Sequence, residues 1–213
     1  MAGTIAVIGG TGNLGAAIAR RLAKAGRTVI IGSRSRESAE NAAADLGFGL
    51  VGRANADAAR EADLIIIAVP FAAQAGTIAD IAPHCAGKIV VDTTVPLVPP
   101  KVMRVQLPPE GSAAQRAQAQ LGEGVTVVSA FHSVAAHKLA TDEAVDCDVL
   151  VFGDDKASRE QVVELAGLMG LRAFHAGALC NSAAAEALTS VLIFINKNYG
   201  PGEAGIRLTG ILE

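Results

Sequence analysis

The sequence predicts an α/β fold, a doubly wound parallel sheet with a small C-terminal α/β domain. Short apolar runs rich in β-branched residues alternate with segments of helical spacing along most of the chain. One run, Asp63–Val69, is apolar almost throughout, which is typical of a strand covered by helices on both faces. Strands that alternate with helices in this way form parallel sheets with right-handed crossovers.

The first half of the chain supplies most of the predicted sheet. Thr4–Ile8 is predicted as the first strand, and the spacing of apolar residues predicts a helix over Leu14–Ala25 that ends at Gly26. A second strand and an alanine-rich helix follow over Thr28–Ile31 and Glu37–Leu46. The next predicted elements are a short third strand at Leu50–Val51, a helix over Ala54–Ala62, the buried run named above, a helix over Phe71–Ala82 and a fifth strand at Lys88–Val91.

The alternation loosens in the second half. A proline-rich excursion from Pro96 to Gly124, with a helix over Ala113–Leu121, separates the fifth strand from a sixth at Val125–Ser129. We therefore predict a nucleotide-binding domain over residues 1–135 and a small domain over residues 136–213 that closes a substrate cleft. The small domain is expected to contain strands at Asp148–Phe152 and Arg172–Phe174, a helix over Ser158–Met169 with Ser158 as its N-cap, and a long helix over Asn181–Asn198.

Composition narrows the classes of function. Of the 213 residues 51% are hydrophobic and 18% are charged, and the net charge of −3 disfavours nucleic acid and anionic membranes as partners. The apolar stretch Ala183–Ile195 is shorter than the roughly 20 residues of a spanning helix and contains Glu186, so we expect a soluble, cytoplasmic protein. Cys85, Cys147 and Cys180 lack metal-ligand spacing and are expected to be reduced and buried, and no metal site is expected.

A glycine-rich turn carries the main functional signal. Gly10-Thr11-Gly12-Asn13-Leu14-Gly15 follows the first predicted strand and opens the first helix, the context in which G-x-G-x-x-G binds a dinucleotide in a Rossmann-like fold. We expect Gly10 to allow the tight turn, Gly12 to let the backbone approach the pyrophosphate, and Gly15 to let helix and strand pack closely. The free N–H groups at the helix start would then face the phosphates.

The end of the second strand predicts which dinucleotide is bound. An NAD site usually places Asp or Glu there for the ribose 2′-hydroxyl, whereas this chain has Gly32-Ser33-Arg34-Ser35-Arg36. Arginine pairs bidentately with phosphate oxygens, so the segment favours the 2′-phosphate of NADP. The alternative is a solvated basic helix start, which the helix dipole disfavours.

The chain resembles the NADPH-dependent coenzyme F420 reductase family (F420:NADP oxidoreductase) nearly from end to end. The segments that carry the resemblance are Val7–Gly15, Gly32-Ser33-Arg34, Val95-Pro96, Val128–His132, Gly153-Asp154-Asp155 and Ala176–Ser182. The resemblance implies a homodimeric oxidoreductase in which hydride passes between NADP(H) and the deazaflavin coenzyme F420. The chain departs from the archaeal members at His132-Ser133-Val134-Ala135, where they have His-Thr-Ile-Pro, and at Ala187, where they have a serine.

The resemblance also implies roles for matching positions. Thr11, Gly12, Asn13 and Leu14 would line the pyrophosphate, and Ser33, Arg34 and Ser38 would hold the 2′-phosphate end, to which we add Arg36 on charge alone. Further cofactor and substrate positions are implied at Phe71 and Ala75 on the nucleotide, at Val95, Pro96, Leu97 and Ala136 around the nicotinamide and the facing deazaflavin, and at His132 and Thr189 on the deazaflavin side.

Several of these residues have a structural alternative. His132 either faces a ligand or caps the following helix, and Thr189 either serves the site or bonds back to a carbonyl one turn earlier. Asp154-Asp155 is interpreted as a turn and helix cap rather than a metal pair. The apolar face of Leu188, Val191, Leu192 and Ile195 is interpreted as core or as a dimer contact.

Three functions remain open from the sequence. Hydride transfer between NADP(H) and F420 needs no side-chain nucleophile, because the coenzymes carry the chemistry. A second hypothesis keeps the NADP site and changes the acceptor to a flavin, a pterin, or a small carbonyl or imine, motivated by Ala135 and Ala187. A third is a non-catalytic NADP sensor.

Overall fold

A six-stranded parallel sheet forms the centre of the computed structural model, which describes residues 3–200 and 202–210. Its strand order is β3-β2-β1-β4-β5-β6, with the chain reversing its direction of winding between β1 and β4. Ligands of open α/β sheets bind beyond the carboxyl ends of the strands at this switch point. The strands are β1 (Thr4–Ile8), β2 (Thr28–Ser33), β3 (Val51–Ala54), β4 (Leu64–Ile67), β5 (Ile89–Asp92) and β6 (Thr126–Ser129).

Helices cover both faces of this sheet. Alternate side chains of β1 enter different hydrophobic clusters, because Ile5 and Val7 belong to one and Ala6 and Ile8 to the other. This two-sided burial is why the strands read as nearly continuous apolar runs. The helices are α1 (Asn13–Lys24), α2 (Arg36–Leu46), α3 (Asn55–Glu61), α4 (Phe71–Ile81), α5 (Ala113–Leu121), α6 (Ala136–Leu139), α7 (Lys156–Leu168) and α8 (Ser182–Tyr199).

The C-terminal segment adds a second, two-stranded parallel sheet. Its strands are β7 (Asp148–Val151) and β8 (Arg172–His175), and α7 connects them. Ser129 and Phe152 exchange two backbone hydrogen bonds of 2.8 and 2.9 Å, which joins the small sheet to the edge of the large one. Core residues of this segment continue the hydrophobic cluster of β1 and α1. The α/β fold class is therefore confirmed, while the boundary at residue 135 stays a prediction.

Two local expectations about this segment and the cysteines were wrong. The N-cap of α7 is Asp155, whose carboxylate accepts the Ser158 N–H at 2.6 Å, so Ser158 lies inside the helix. A charged carboxylate gains more from the helix dipole than a hydroxyl does, and the helix starts earlier for that reason. Cys180 is exposed in the single 3₁₀ turn before α8, whereas Cys85 and Cys147 are buried as expected.

Helix α8, of 18 residues, is the longest helix of the described residues and is largely apolar. Together with the preceding 3₁₀ turn it forms a stretch, Leu179–Tyr199, whose length and composition would suffice to cross a bilayer, although a single such stretch is weak support for a membrane span. The helix itself agrees with its predicted bounds of Asn181–Asn198 to within one residue, whereas the stretch is longer than the apolar run Ala183–Ile195 considered from the sequence. The carboxylate of Glu186 on this helix is buried and bonds to the start of α5, so one face of α8 packs against the domain.

Candidate functional site

The glycine-rich turn lies at the switch point of the sheet. It leaves β1 and opens α1, whose first intrahelical bond runs from Ala16 N–H to the Gly12 carbonyl at 2.8 Å. The N–H groups of Asn13, Leu14 and Gly15 precede Ala16, the first donor of the helix, so they have no intrahelical acceptor and remain available to an anion. This is the arrangement that the sequence motif predicts.

The glycines of the turn are needed for space as well as for backbone conformation. Gly9 has a φ of +78°, so the left-handed residue of the turn lies one position before the expected Gly10. A Cβ on Gly15 would lie 2.5 Å from the Gly9 carbonyl oxygen, which explains why only glycine lets α1 approach the turn. A Cβ on Gly10 would lie 2.8 Å from the Val7 carbonyl and 2.9 Å from Ile31.

A cavity of about 230 Å³ lies beside this turn and is called the glycine-turn cavity below. It brings together Thr11 and Gly12 of the motif with Ser33 and Arg34 from the end of β2, as the prediction of a joint anion site requires. The remaining lining comes from Gly9, Asn55, Ala68, Val69, Pro70, Ala73 and Thr77.

The two predicted arginines differ in their surroundings. Arg34 lines the glycine-turn cavity, whereas Arg36 begins α2 and forms an exposed ion pair with Glu40 at 2.8 Å. Ser38 lies on the same helix, and its N–H is capped by the Ser35 hydroxyl at 3.3 Å. Arg36 and Ser38 do not line the glycine-turn cavity, and their roles in binding the 2′-phosphate stay predictions.

Asn55 is a polar residue of this cavity that sequence reasoning missed. It is the first residue of α3, it is 4% exposed, and its side-chain oxygen lies buried near Gly32 without a hydrogen-bond partner. An unsatisfied buried amide oxygen costs free energy, which marks the position as a candidate for ligand contact. The sequence offered no clear signal, because the predicted third strand ended at Val51, whereas β3 continues to Ala54 and so places Asn55 at the edge where ligands bind.

On α4 the cavity wall is formed by Ala73 and Thr77 rather than by the predicted Phe71 and Ala75. The Phe71 ring lies beneath the Arg116 guanidinium, 4.9 Å from its centroid. Nucleotide contacts at Phe71 and Ala75 therefore stay predictions without support from the cavity lining.

The segment after β5 carries the predicted nicotinamide positions. Thr93 anchors it through backbone N–H and side-chain hydroxyl bonds to the Ile67 carbonyl of β4, at 3.1 and 3.0 Å. Val95, Pro96 and Leu97 follow at the carboxyl edge of the sheet, with a tight turn from Leu97 N–H to the Val95 carbonyl at 2.7 Å. The segment is thereby held against β4, the strand that lies between β5 and the strand of the glycine turn, β1.

His132 lies just beyond β6 on the same edge. Phe131 before it has a φ of +68°, a conformation that non-glycine residues rarely adopt and that costs about 1–2 kcal/mol. The His132 Nε2 lies 2.7 Å from the Ser129 hydroxyl, and burial lowers the pKa of the imidazole to about 4. The imidazole is therefore neutral at neutral pH.

Thr189 makes the back-bond of its structural alternative and also contacts the His132 segment, while its role in the site stays a prediction. Its hydroxyl lies 3.2 Å from the Ala185 carbonyl one turn earlier and 3.1 Å from the His132 carbonyl. Thr189 and His132 also line one cavity of about 150 Å³ between α8 and the segment 132–135. The two predicted deazaflavin-side residues are thus brought together, and α8 is tied to the His132 segment.

A further cavity of about 350 Å³ contains two predicted cofactor residues. It lies between α1, α2 and α6 and is lined by Asn13 of the glycine turn, by Ala136 at the start of α6, and by Ala16, Ala17, Arg20, Leu46, His137 and Ala140.

Leu14 is half-buried in the first turn of α1 and packs against the core. In residues 3–200 and 202–210 no group of three or more His, Cys, Asp or Glu side chains is placed to hold a metal ion.

The fold and the site define a dinucleotide-binding α/β protein. The sequence profile described as "NADP oxidoreductase coenzyme F420-dependent" matches residues 4–96. The chain is 39% identical to the F420-dependent NADP reductase of Methanocaldococcus jannaschii, over 97% of this chain and 98% of that protein. It is 40% identical to the protein of the same name from Methanothermobacter thermautotrophicus, over 98% and 96%. The chain therefore belongs to the family of F420-dependent NADP reductases.

A solved structure supports the same assignment. The crystal structure named as a candidate F420-dependent NADP reductase from Arthrobacter sp. FB24 superposes with a TM-score of 0.80 at 27% identity, covering 97% of this chain and 99% of that one. The likeness therefore includes the C-terminal segment and is not confined to the nucleotide-binding half.

Proposed function

We propose that this protein is an NADP-dependent oxidoreductase that transfers hydride between NADP(H) and coenzyme F420. The family of near-full-length relatives named F420-dependent NADP reductase supports the reaction. The observation that carries the nucleotide half is the glycine-turn cavity, in which Thr11 and Gly12 of the turn meet Ser33 and Arg34 without an intervening carboxylate. When bound, the nicotinamide and the deazaflavin supply the chemistry, since NADPH gives up a hydride and solvent supplies a proton to the reduced F420.

The residues of the chain bind and orient the two coenzymes. The glycine turn, with Gly10, Thr11, Gly12, Asn13 and Leu14, holds the pyrophosphate, whose oxygens face the backbone N–H groups of Asn13 and Leu14 at the start of α1. Arg34 neutralises the 2′-phosphate, with Ser33 as a hydroxyl partner and with Arg36 and Ser38 on the adjoining helix.

The segment after β5 holds the nicotinamide end. Val95, Pro96 and Leu97 form one side of the reaction cleft, and Ala136 at the start of α6 forms another. His132 and Thr189 face the deazaflavin, with His132 as a neutral hydrogen-bonding group because burial lowers its pKa to about 4. No side chain has to act as a nucleophile in this scheme.

The assembly and the location are also part of this proposal. Val191, Phe194, Ile195 and Tyr199 expose an apolar face of α8, which supports a homodimer through that helix. We further propose a soluble, cytoplasmic enzyme that takes small-molecule redox substrates and binds neither membranes nor nucleic acid; the buried Glu186 on α8 argues against a membrane span, and the net charge of −3 against nucleic acid.

A panel of acceptors tests the reaction. We expect purified protein to oxidise NADPH with F420, and with a flavin, a pterin or a small imine far more slowly. Efficient turnover with one of these acceptors and none with F420 would favour the second hypothesis, for which Ala135 and Ala187 are the motivating departures. Tight NADPH binding without oxidation by any acceptor would instead identify a sensor.

A further inference from the structure

Two carboxyl groups that the reaction does not use are buried beside the cleft. Asp92, the last residue of β5, is 0% exposed, and Glu186 on α8 is 1% exposed. In the described ranges 3–200 and 202–210 neither carboxyl group forms an ion pair. Burial raises the pKa of Asp92 to about 6 and that of Glu186 to about 7. Replacing such groups by apolar ones often stabilises a protein, so their presence needs an explanation other than stability.

Glu186 attaches α8 to the start of α5. Its two oxygens accept the backbone N–H groups of Ala113 at 2.6 Å and Ala114 at 3.2 Å. Ser182, one turn earlier on α8, places its hydroxyl 3.3 Å from the carboxylate and 2.9 Å from the hydroxyl of Ser112, the N-cap of α5. The contact is therefore a cap supplied from another helix.

Asp92 attaches the nicotinamide segment to α4. One carboxylate oxygen accepts the Thr94 N–H at 3.0 Å, and the other accepts from the Gln74 amide at 2.5 Å. The same Gln74 nitrogen donates to the Ala113 carbonyl at 2.9 Å. The carbonyl of Ala113, the first residue of α5, thus accepts from Gln74, and its N–H donates to Glu186, so that Gln74 and Ala113 connect the two carboxylates.

The network ends at both sides of the reaction cleft. At one end Thr94 directly precedes Val95, Pro96 and Leu97. At the other end α8 carries Thr189, whose hydroxyl bonds to the His132 carbonyl. We propose that Glu186 and Asp92 are positioning residues that fix the separation between the nicotinamide segment and α8. This inference rests on the proposed function, because the separation matters only if two rings exchange hydride between these sides.

The decisive variant is Glu186→Gln, which keeps the shape of the side chain. Both Glu186 oxygens accept from backbone N–H groups, so a glutamine must turn its NH₂ toward one of them. Because a backbone N–H cannot accept a hydrogen bond, that bond is lost. Small misplacements of reacting groups cost up to about 100-fold in rate. We expect kcat with NADPH and F420 to fall about 10-fold or more, while the Kd for NADPH stays within about twofold, because the glycine-turn cavity lies outside the network.

Three further measurements make the test specific. With NADPH deuterated at the transferred position, the isotope effect on kcat should rise in Glu186→Gln, since hydride transfer becomes slower than product release. Ser182→Ala removes one hydrogen-bond partner of Glu186 and keeps the carboxylate, and we expect it to lower kcat about threefold or more. This variant replaces Glu186→Gln in the test if Glu186→Gln does not fold. Glu164→Gln on the exposed face of α7 is the control and should leave all parameters unchanged.

The outcomes separate this inference from the proposed function. A wild type that transfers hydride, together with folded Glu186→Gln and Ser182→Ala that keep kcat within twofold, overturns the positioning role alone. Equal losses in kcat and NADPH affinity also overturn it, because they indicate general damage. A wild type that does not reduce F420 contradicts the proposed function, and the same ratios are then measured with the acceptor that it does reduce.

Discussion

At the scale of single residues, we expect selectivity for NADP over NAD to depend on Arg34 more than on Arg36. Arg34 lines the glycine-turn cavity, whereas the Arg36 charge is offset by Glu40 on the next turn of the same helix. The Glu40 carboxylate raises the pKa of Arg36, which remains charged in any case. Although the two arginines carry the same charge, we therefore expect their substitution to weaken NADPH binding to different degrees.

Arg34→Ala should weaken NADPH binding about 10- to 100-fold and leave NADH binding nearly unchanged, because a charge-assisted hydrogen bond contributes about 1.5–3 kcal/mol. Arg36→Ala is the matched comparison and should weaken NADPH by less. Fluorescence or calorimetric titration of both coenzymes measures the four affinities. Equal losses for NADPH and NADH would contradict the assignment of the 2′-phosphate to Arg34.

His132 makes a prediction about pH. Burial lowers its pKa to about 4, so the folded state binds fewer protons than the unfolded state as pH falls below the usual value of 6.5. Stability from the neutral imidazole is thus present above about pH 6.5 and is lost toward pH 4, by about 3 kcal/mol.

Urea denaturation at several pH values tests this prediction. Wild type should lose more unfolding free energy between pH 7 and pH 4 than His132→Gln does. The raised pKa values of Asp92 and Glu186 act in the opposite direction, since folding takes up protons there and stability falls as pH rises. Asp92 and Glu186 contribute equally in wild type and in His132→Gln, so their effect cancels when the two proteins are compared. Identical dependence of the unfolding free energy on pH in the two proteins would show that His132 is not buried in its neutral form.

At the scale of elements, the strand and helix order could be predicted because each signal is local. β-branched runs, glycine punctuation and the spacing along α1 and α5 all lie within a dozen residues, and α5 matches its predicted bounds. The glycine turn and Arg34 could be predicted for the same reason. Asn55 and the Asp92–Glu186 network could not, because burial and hydrogen bonds across 18 to 73 residues of chain define them.

The packing of α1 on the turn yields a prediction at this scale. Gly15→Ala places a Cβ 2.5 Å from the Gly9 carbonyl oxygen and 2.9 Å from the Gly10 Cα, both backbone atoms. We expect the helix start to shift, the NADPH affinity to fall at least about 10-fold, and the unfolding free energy to fall by about 1–3 kcal/mol.

Gly167→Ala in α7 is the control for this substitution. An added Cβ there meets no atom within 4 Å, and alanine favours a helix over glycine by about 1 kcal/mol. We expect this variant to be at least as stable as wild type, with unchanged NADPH affinity. Loss of binding only in the α7 variant would contradict the role of the turn.

At the scale of the whole molecule, the C-terminal segment presents an apolar surface. Phe194 and Ile195 are 49% and 37% exposed on α8, in line with the dimer alternative raised from the sequence. The helix faces its own domain through Glu186 and Leu192 and exposes the opposite side. We expect a solution mass of about twice 21.6 kDa, and monomers for Phe194→Glu combined with Ile195→Lys. Sedimentation equilibrium measures both masses, and a monomeric wild type would contradict the proposed dimer.

The central claim is that one cleft brings the NADP nicotinamide and the deazaflavin ring together for direct hydride exchange. A single-turnover reaction with NADPH deuterated at the transferred position, analysed by mass spectrometry of the reduced F420, tests it most directly. If hydride passes directly between the two rings, we expect the deuterium to be recovered in the reduced deazaflavin ring. Deuterium retained in the nicotinamide product or lost to solvent would contradict it.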